Sequence, residues 1–368
     1  METYFLKNED IFKFYDRLAS EYDLYLPVKV KSPLKRDCVC QTSANSLPTE
    51  DYLLKKYVKD NKLDFVFNDY RCIEPTRAFF TQYKEELCTY FEDVNIKEKK
   101  ERPLALCGVK NCDLFALKIQ GYVFLGGQEA DLAYKSRREN TLIIASDCPN
   151  FKEVCFCRAF GINPYSVEDF DINLSPLNNG FLVDVLTPKA RSIIMALKDI
   201  FSQATLGQIS GRAAKRELVV RRLDEHLAQY KIPQKETLQE IVVSGYNSSI
   251  WQEQMRTCVE CNGCVFMCDT CHCFLLTDDS SGDVSKRVRL WDGCLLKNFT
   301  RVAGGANPLK LRYMRLRNRY LKKFDFFVSN LGFQACCGCG RCIEVCPGKI
   351  DIRYILRKLH EEKYLPTS

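Results

Sequence analysis

Two four-cysteine motifs in the second half of the chain constrain its fold more than any other feature. Both have the spacing C-x2-C-x2-C-x3-C, and their members are Cys258, Cys261, Cys264 and Cys268, then Cys336, Cys339, Cys342 and Cys346. This spacing is typical of loops that bind [4Fe–4S] clusters. Three thiolates surround one cubane, and the fourth lies one helical turn further on and points the other way. The motifs therefore predict two such clusters.

Crossed ligation follows from that geometry, because the fourth cysteine of each motif ligates the cluster of the other motif in two-cluster proteins. We predict one cluster on Cys258, Cys261, Cys264 and Cys346. We predict a second on Cys336, Cys339, Cys342 and Cys268. Structural zinc is the alternative, but a zinc site has no use for the x3-Cys extension. Gly263, Gly338 and Gly340 fit a close approach of the backbone to inorganic sulfur.

The surroundings of the first motif depart from the usual pattern. Asp269 stands where a proline normally follows the fourth cysteine, which changes the local bend without removing a ligand. The segment between Cys268 and Cys336 is long and reads as largely helical. The long insert favours a mostly helical dicluster domain of the α-helical ferredoxin type.

The first half of the chain carries a third group of cysteines at expected loops and strand ends. Its members are Cys112, Cys148, Cys155 and Cys157. We predict that they hold one further iron–sulfur cluster, either [4Fe–4S] or [2Fe–2S]. Cys107 lies within an expected strand and is assigned to the core. No role is required of Cys38, Cys40, Cys72, Cys88 and Cys337.

Three more cysteines, Cys271, Cys273 and Cys294, lie between the two motifs. They suggest a fourth metal site whose remaining ligand is open, with His272 as a candidate. The alternative is that they are buried thiols, because cysteine packs well as a small apolar side chain.

The distribution of cysteines also suggests the domain organisation, because residues 158–257 contain none. Buried strands are expected at 104–109, 141–145 and 181–186, and helices at 11–18, at 51–58, from about Cys112, from Pro188 and at 216–230. We predict an α/β domain at 1–187, a helical linker at 188–250 and the dicluster domain at 251–368. The fold class is thus α/β or α+β.

Composition favours a cytoplasmic protein. The chain has 368 residues and 21 cysteines, no secretory signal is visible at its start, and no stretch approaches the ~20 apolar residues that span a membrane. In a reducing compartment so many thiols indicate metal ligation rather than disulfides. No glycine-rich nucleotide motif occurs, so no flavin or nicotinamide site is expected in this chain.

A basic run follows the first motif. Residues 286–323 contain twelve Lys or Arg and one acid, Asp292. Such a run is commonly a solvated face, but here it can also offset the negative charge of the clusters or steer an acidic partner. Nucleic-acid binding is the least favoured interpretation.

Several elements together resemble one family. They are 108–113 (Gly-Val-Lys-Asn-Cys-Asp), Arg137-Arg138, Cys155-Phe156-Cys157, 180–183, the two motifs, Cys271-x-Cys273, Trp291-Asp292-x-Cys294 and Gly304-Gly305. Over most of its length the chain resembles the iron–sulfur beta subunit of cytosolic sulfhydrogenase-type [NiFe] hydrogenases and the related iron–sulfur subunit of anaerobic sulfite reductase. The family usually has Pro-Thr-Cys where this chain has Asp269-Thr270-Cys271.

The resemblance implies an electron-transfer component of a hetero-oligomer rather than a catalytic chain. It would connect a flavin-containing, NAD(P)H-linked subunit to a catalytic partner: a hydrogenase, a sulfite reductase or a heterodisulfide-reductase-like module. Two alternatives stay open. One is a catalytic iron–sulfur enzyme that acts on a sulfur substrate at Cys271, Cys273 and Cys294. The other is a zinc-stabilised nucleic-acid-binding protein.

Overall fold

The computed structural model describes residues 2–31, 50–59, 65–90, 102–280 and 285–365. Cys38 and Cys40 lie outside these residues. The chain combines sheets with helices. The strands are β1 (Glu2–Lys7), β2 (Asp23–Lys31), β3 (Glu50–Lys56), β4 (Lys84–Thr89), β5 (Leu104–Val109), β6 (Thr141–Ser146), β7 (Ile172–Pro176), β8 (Gly180–Val185), β9 (Phe201–Gln203), β10 (Phe274–Asp279) and β11 (Lys286–Trp291).

The helices are distributed over both halves of the chain. They are α1 (Ile11–Glu21), α2 (Asn111–Leu125), α3 (Leu132–Glu139), α4 (Pro188–Ala196), α5 (Leu206–Ala228), α6 (Leu238–Ser244), α7 (Ile250–Gln254), α8 (Gly263–Phe266), α9 (Arg312–Leu321), α10 (Phe327–Leu331), α11 (Arg341–Glu344) and α12 (Ile352–Tyr364). A π-helical turn, Lys322–Phe326, joins α9 to α10. In the described part of the chain, none of these helices is long and apolar enough to cross a membrane.

An eight-stranded sheet organises the first half, in the order β3-β2-β5-β6-β7-β8-β1-β9. Four neighbouring strands, β2, β5, β6 and β7, run parallel to one another. The remaining strands, β3 on one side and β8, β1 and β9 on the other, pair antiparallel with their neighbours. Every residue of β6 is buried, which suits a central parallel strand with both faces covered. The carboxyl ends of β5 and β6 therefore point to one edge of the sheet, where Cys112 and Cys148 follow.

Most of the expected elements of the first half are confirmed, and one is wrong. The strands expected at 104–109, 141–145 and 181–186 are β5, β6 and β8, and the helix expected at 11–18 is α1. The helix expected at 51–58 is instead β3, which pairs antiparallel with β2. Pairing with β2 along the full length of β3 overrides the apolar spacing that suggested a helix.

Helices surround a second core in the C-terminal part. The helices α6, α7, α9 and α12 share it with Phe156 and Phe160 from the first half. The segment between the motifs is not largely helical as expected, because β10 and β11 form a hairpin there. β11 also pairs with β4, which lies about 200 residues earlier, and buried Arg289 of β11 bonds Glu85 of β4.

Candidate metal centres

The two cysteine motifs adopt the same loop conformation although their sequences differ. The backbone is left-handed at Glu260 and Asn262, with φ of 57° and 58°, and at the matching Gly338 and Gly340, with φ of 63° and 74°. A one-turn helix follows in each case, α8 and α11. Each loop therefore curves around the space that its first three cysteines enclose.

Four thiols line a common cavity at the first loop, which we call site 1: Cys258, Cys261, Cys264 and Cys346. Cys342 also borders this cavity and is shared with the second one. The hydroxyl of Thr257 donates to the carbonyl of Gly348 at 2.7 Å and so ties the start of the first motif to the end of the second. Backbone N–H groups also approach the sulfur atoms, from Glu260 to Cys258 Sγ at 3.4 Å and from Ile350 to Cys346 Sγ at 3.5 Å.

A second cavity, site 2, is lined by the other four thiols of the motifs: Cys268, Cys336, Cys339 and Cys342. Lys323 donates to Cys268 Sγ at 3.5 Å and to the carbonyl of Ala335 at 2.9 Å, which holds the end of the first motif beside the start of the second. At both sites, the fourth cysteine of one motif thus lies with the first three of the other.

The thiols of the first half also lie together, and we call their position site 3. Cys112 is in the first turn of α2, and Cys148 follows β6. Cys157 interacts electrostatically with Cys112, Cys148 and Cys155. Burial raises the pKa of Cys148 to about 12. The α/β topology therefore places Cys112 and Cys148 at one end of the sheet, and the loop between β6 and β7 brings Cys155 and Cys157 to them.

Site 3 packs directly on site 2. The backbone N–H of Phe156 donates to the carbonyl of Gly338 at 2.8 Å. A Cβ added to Gly338 would lie 2.5 Å from the carbonyl oxygen of Phe156, and one added to Gly340 would lie 2.1 Å from that of Val154. The expected close approach at these glycines is therefore to the 154–157 segment. This contact explains why the second motif has glycine where the first has Glu260 and Asn262.

Buried cations adjoin the thiols. Arg319 lines both the site 1 and site 2 cavities and donates to the carbonyl of Cys264 at 2.9 Å. Burial opposes the charge of Lys323, but Cys268 and Cys271 outweigh it and hold the pKa of the ammonium above its usual value. Part of the basic run is thus internal, where it can offset negative charge on sulfur.

Two polar groups in site 1 test whether an iron–sulfur cluster fits. The side-chain amide of Asn262 and the Nε of Arg319 are buried and find no hydrogen-bond partner among the described residues. Buried donors normally have a partner. A cluster with sulfide and thiolate acceptors would provide one, so these residues fit the group. Within the described residues, no three His, Cys, Asp or Glu side chains converge closely enough for a single metal ion.

Of the three cysteines between the motifs, one pairs with the last cysteine of the first motif, and the other two pair with each other. Cys271 is hydrogen-bonded to Cys268, and a hydrogen bond from Cys294 lowers the pKa of Cys273 to about 6. All four belong to one apolar cluster. Burial lowers the pKa of the nearby His272 to about 4. Of the cysteines without an expected role, Cys72, Cys107 and Cys337 are buried and Cys88 is exposed.

One buried ionic group was not expected from the sequence. Arg341, within the second motif, donates to Asp269 and Asp113, and Arg71 donates to the carbonyl of Cys339 at 2.6 Å. The backbone N–H of Arg77 also donates to Asp269, at 2.8 Å. The acid in place of proline at 269 was the one sequence signal that pointed to this group.

Residues 257–350 match the family model described as a 4Fe-4S dicluster domain, so this part of the chain is similar to the class of 4Fe–4S dicluster proteins. Over 309 residues the chain is 29% identical to Sulfhydrogenase 2 subunit beta of Pyrococcus furiosus, which covers 83% of this chain and 89% of that protein. The resemblance found in the sequence is confirmed. The chain is a relative of the iron–sulfur beta subunits of the sulfhydrogenase family and has the character of an iron–sulfur electron-transfer subunit.

Proposed function

We propose that the chain relays electrons through three iron–sulfur centres that adjoin one another in the order site 3, site 2, site 1. Sites 1 and 2 each take a [4Fe–4S] cluster on the crossed thiols, and site 3 takes a further cluster on Cys112, Cys148, Cys155 and Cys157. The observation that carries the proposal is the backbone contact between Phe156 and Gly338, because it brings the loop that presents Cys155 and Cys157 directly against the loop of the second motif.

The chain's own residues provide what such a relay requires. Each bound [4Fe–4S] cluster accepts and releases one electron. Phe156 lies in the site 2 cavity lining and is 1% exposed, so it excludes water between sites 2 and 3. Arg319 contacts the linings of sites 1 and 2, and its charge favours the more negative, reduced form at both.

The domain division at about 187 and 250 belongs to the same proposal. The 1–187 domain holds site 3, and 251–368 holds sites 1 and 2. The segment 188–250 is mostly helical, adds β9 to the edge of the first sheet and supports the junction. The two cluster-bearing parts share an apolar core as well as the Phe156–Gly338 contact, which suits a fixed distance between centres.

We infer that the chain works in a hetero-oligomer, since its relative is by name the beta subunit of a sulfhydrogenase. One partner is a flavin-containing, NAD(P)H-linked subunit, and the other is a catalytic subunit. Both are needed because a relay must receive electrons from one partner and pass them to another.

Anaerobic analysis of the purified chain for iron, acid-labile sulfide and zinc tests the proposal. The relay requires about twelve iron atoms and as much sulfide per chain if site 3 holds a [4Fe–4S] cluster, or about ten of each if it holds a [2Fe–2S] cluster. About eight would remove site 3 from the relay, and zinc in place of iron would refute the proposal. Turnover of a sulfur substrate by the isolated chain, lost on Cys273→Ala but not on Lys297→Ala, would instead support a catalytic site at the interposed cysteines.

A further inference from the structure

Site 1 is the centre nearest to the protein surface. Of the twelve thiols in sites 1 to 3, Cys261 alone is exposed, and the others are buried or half-buried. All twelve lie in the described part of the chain. An electron that enters or leaves through a partner protein therefore has its shortest way through the loop around Cys261.

The surface around Cys261 is positively charged. It is formed by three segments that surround site 1, residues 253–261, 309–312 and 346–350, and we call it the site 1 face. Its exposed cations are Arg256, Lys310, Arg312 and Lys349. Its acids are Glu253 and Glu260. Glu260 is neutralised by an ion pair with the buried Arg315.

Contacts fix the three segments of this face against one another. Arg312 donates to the carbonyl of Cys258 at 2.7 Å. Arg315 donates to the carbonyls of Leu309 and Lys310 at 3.1 and 2.9 Å. The 2.7 Å bond from Thr257 to Gly348 holds the third segment. The cations therefore surround site 1 in one arrangement rather than on mobile loops.

Exposed apolar side chains lie among these cations. Val259 is 67% exposed and Leu311 is 48% exposed. Pro347, which follows Cys346, is exposed as well. Apolar contacts bordered by charge are the composition of a docking face, where the charges steer the encounter and the apolar groups are desolvated.

We propose that the site 1 face docks an acidic redox protein, so that electrons pass between that partner and site 1. This inference rests on the proposed relay and assigns one of its ends. Charge complementarity selects the partner. The face has four exposed cations and only one acid without an ion pair, Glu253, so it favours a negatively charged surface. A second copy of the same chain would bring the same cations together, and its net charge is +7.

Stopped-flow kinetics with the full, cluster-loaded chain test this assignment. The probe is a small acidic [2Fe–2S] ferredoxin, oxidised and mixed with the reduced chain. We expect the second-order rate constant to fall at least about tenfold between low and high salt. The triple variant Arg256→Glu, Lys310→Glu, Lys349→Glu should react about tenfold or more slowly at low salt and lose the salt dependence.

These three side chains form no hydrogen bond or ion pair with the part of the chain that the structure describes, so their reversal leaves the cluster loops intact. The matched control reverses three exposed cations outside the site 1 face, Lys135→Glu, Lys198→Glu and Arg221→Glu, and should keep the wild-type rate. Basic cytochrome c is the opposite probe and should react faster with the triple variant than with the wild type.

Two readouts separate this inference from the proposed function. Iron content and the electronic spectrum of each variant report the clusters, so a chain without iron refutes the relay before any kinetics are measured. Loaded clusters with equal rates in wild type and triple variant overturn the docking face. Tight binding of duplex DNA to this face, with electron transfer unaffected by the reversals, would also overturn it.

Discussion

The guanidinium of Arg341 donates to Asp269 Oδ2 at 2.6 Å, and the same Nη1 donates to Asp113 Oδ1 at 2.7 Å. All three side chains are buried. Asp269 follows Cys268, Asp113 follows Cys112, and Arg341 lies within the second motif. One cation thus joins the chain segments that present the thiols of sites 2 and 3.

Removal of this cation should destabilise the fold more than removal of either acid. Arg341→Met removes the cation that two buried carboxylates share and leaves them only backbone donors, a loss of about 3–5 kcal/mol. Asp269→Asn keeps the pair with Asp113 and should cost about 1–3 kcal/mol. Anaerobic unfolding in guanidinium chloride measures the free energy of unfolding of each variant and so ranks the two losses. Arg17→Met, which breaks an exposed pair with Glu21, is the control. Equal losses for Arg341→Met and Arg17→Met would contradict the structural role of Arg341.

Crossed ligation predicts which cluster each single substitution damages. Cys346→Ala should impair the cluster with Cys258, Cys261 and Cys264, and Cys268→Ala the cluster with Cys336, because those thiols share a cavity. Iron analysis should show the loss of up to one cluster in each variant, and paramagnetic resonance should identify which signal disappears. Cys88→Ala, at an exposed thiol, should change neither. Damage confined to the substituted motif would refute the crossing.

Gly338 should be essential for the junction of sites 2 and 3. Its φ is 63°, and an added Cβ would lie 2.5 Å from the Phe156 carbonyl oxygen. Gly338→Ala should therefore separate the loops and reduce the iron held at sites 2 and 3, while site 1 stays loaded. Gly305→Ala provides the control, since Gly305 has φ of 84° but open space around it. It should cost roughly 1–2 kcal/mol of backbone strain and no iron. Equal iron contents in the two variants would contradict the junction.

Local sequence patterns predicted the features that depend on local chemistry. The spacing of the motifs located the eight thiols of sites 1 and 2, and the continuous apolar runs identified β5 and β6. The grouping of Cys112, Cys148, Cys155 and Cys157 followed from their positions after strands. In each case, the feature is determined by residues that are neighbours in the sequence or by a known loop geometry.

Features that depend on distant contacts were not predictable from the sequence. The pairing of β4 with β11 joins segments about 200 residues apart, and neither shows a local signal for the other. The helix expected at 51–58 was overridden by the neighbouring strand β2. The role of Gly338 became clear only from the position of Phe156. Burial of part of the basic run was also hidden, since a charged sequence does not reveal which Arg lies inside.

Lys323 should raise the reduction potential of the site 2 cluster. Its Nζ is 3.5 Å from Cys268 Sγ, and both residues are buried. A unit charge at roughly 6 Å, with an effective dielectric constant of about 20, contributes about 3 kcal/mol, or roughly 0.1 V for one electron. Lys323→Met should therefore lower the reduction potential of this cluster by roughly 0.1 V. An anaerobic redox titration, monitored by electron paramagnetic resonance, measures the shift.

Two companion variants make the effect of Lys323 specific to its charge. Lys323→Arg keeps the cation and should restore most of the potential. Lys322→Met removes the adjacent cation, whose ammonium lies over the ring of Phe299 at 5.4 Å, and should shift the site 2 potential less. Because Lys323 does not line the site 1 cavity, the potential of site 1 should move less than that of site 2. Equal shifts for Lys322→Met and Lys323→Met would show that the potential follows net charge rather than the contact with Cys268.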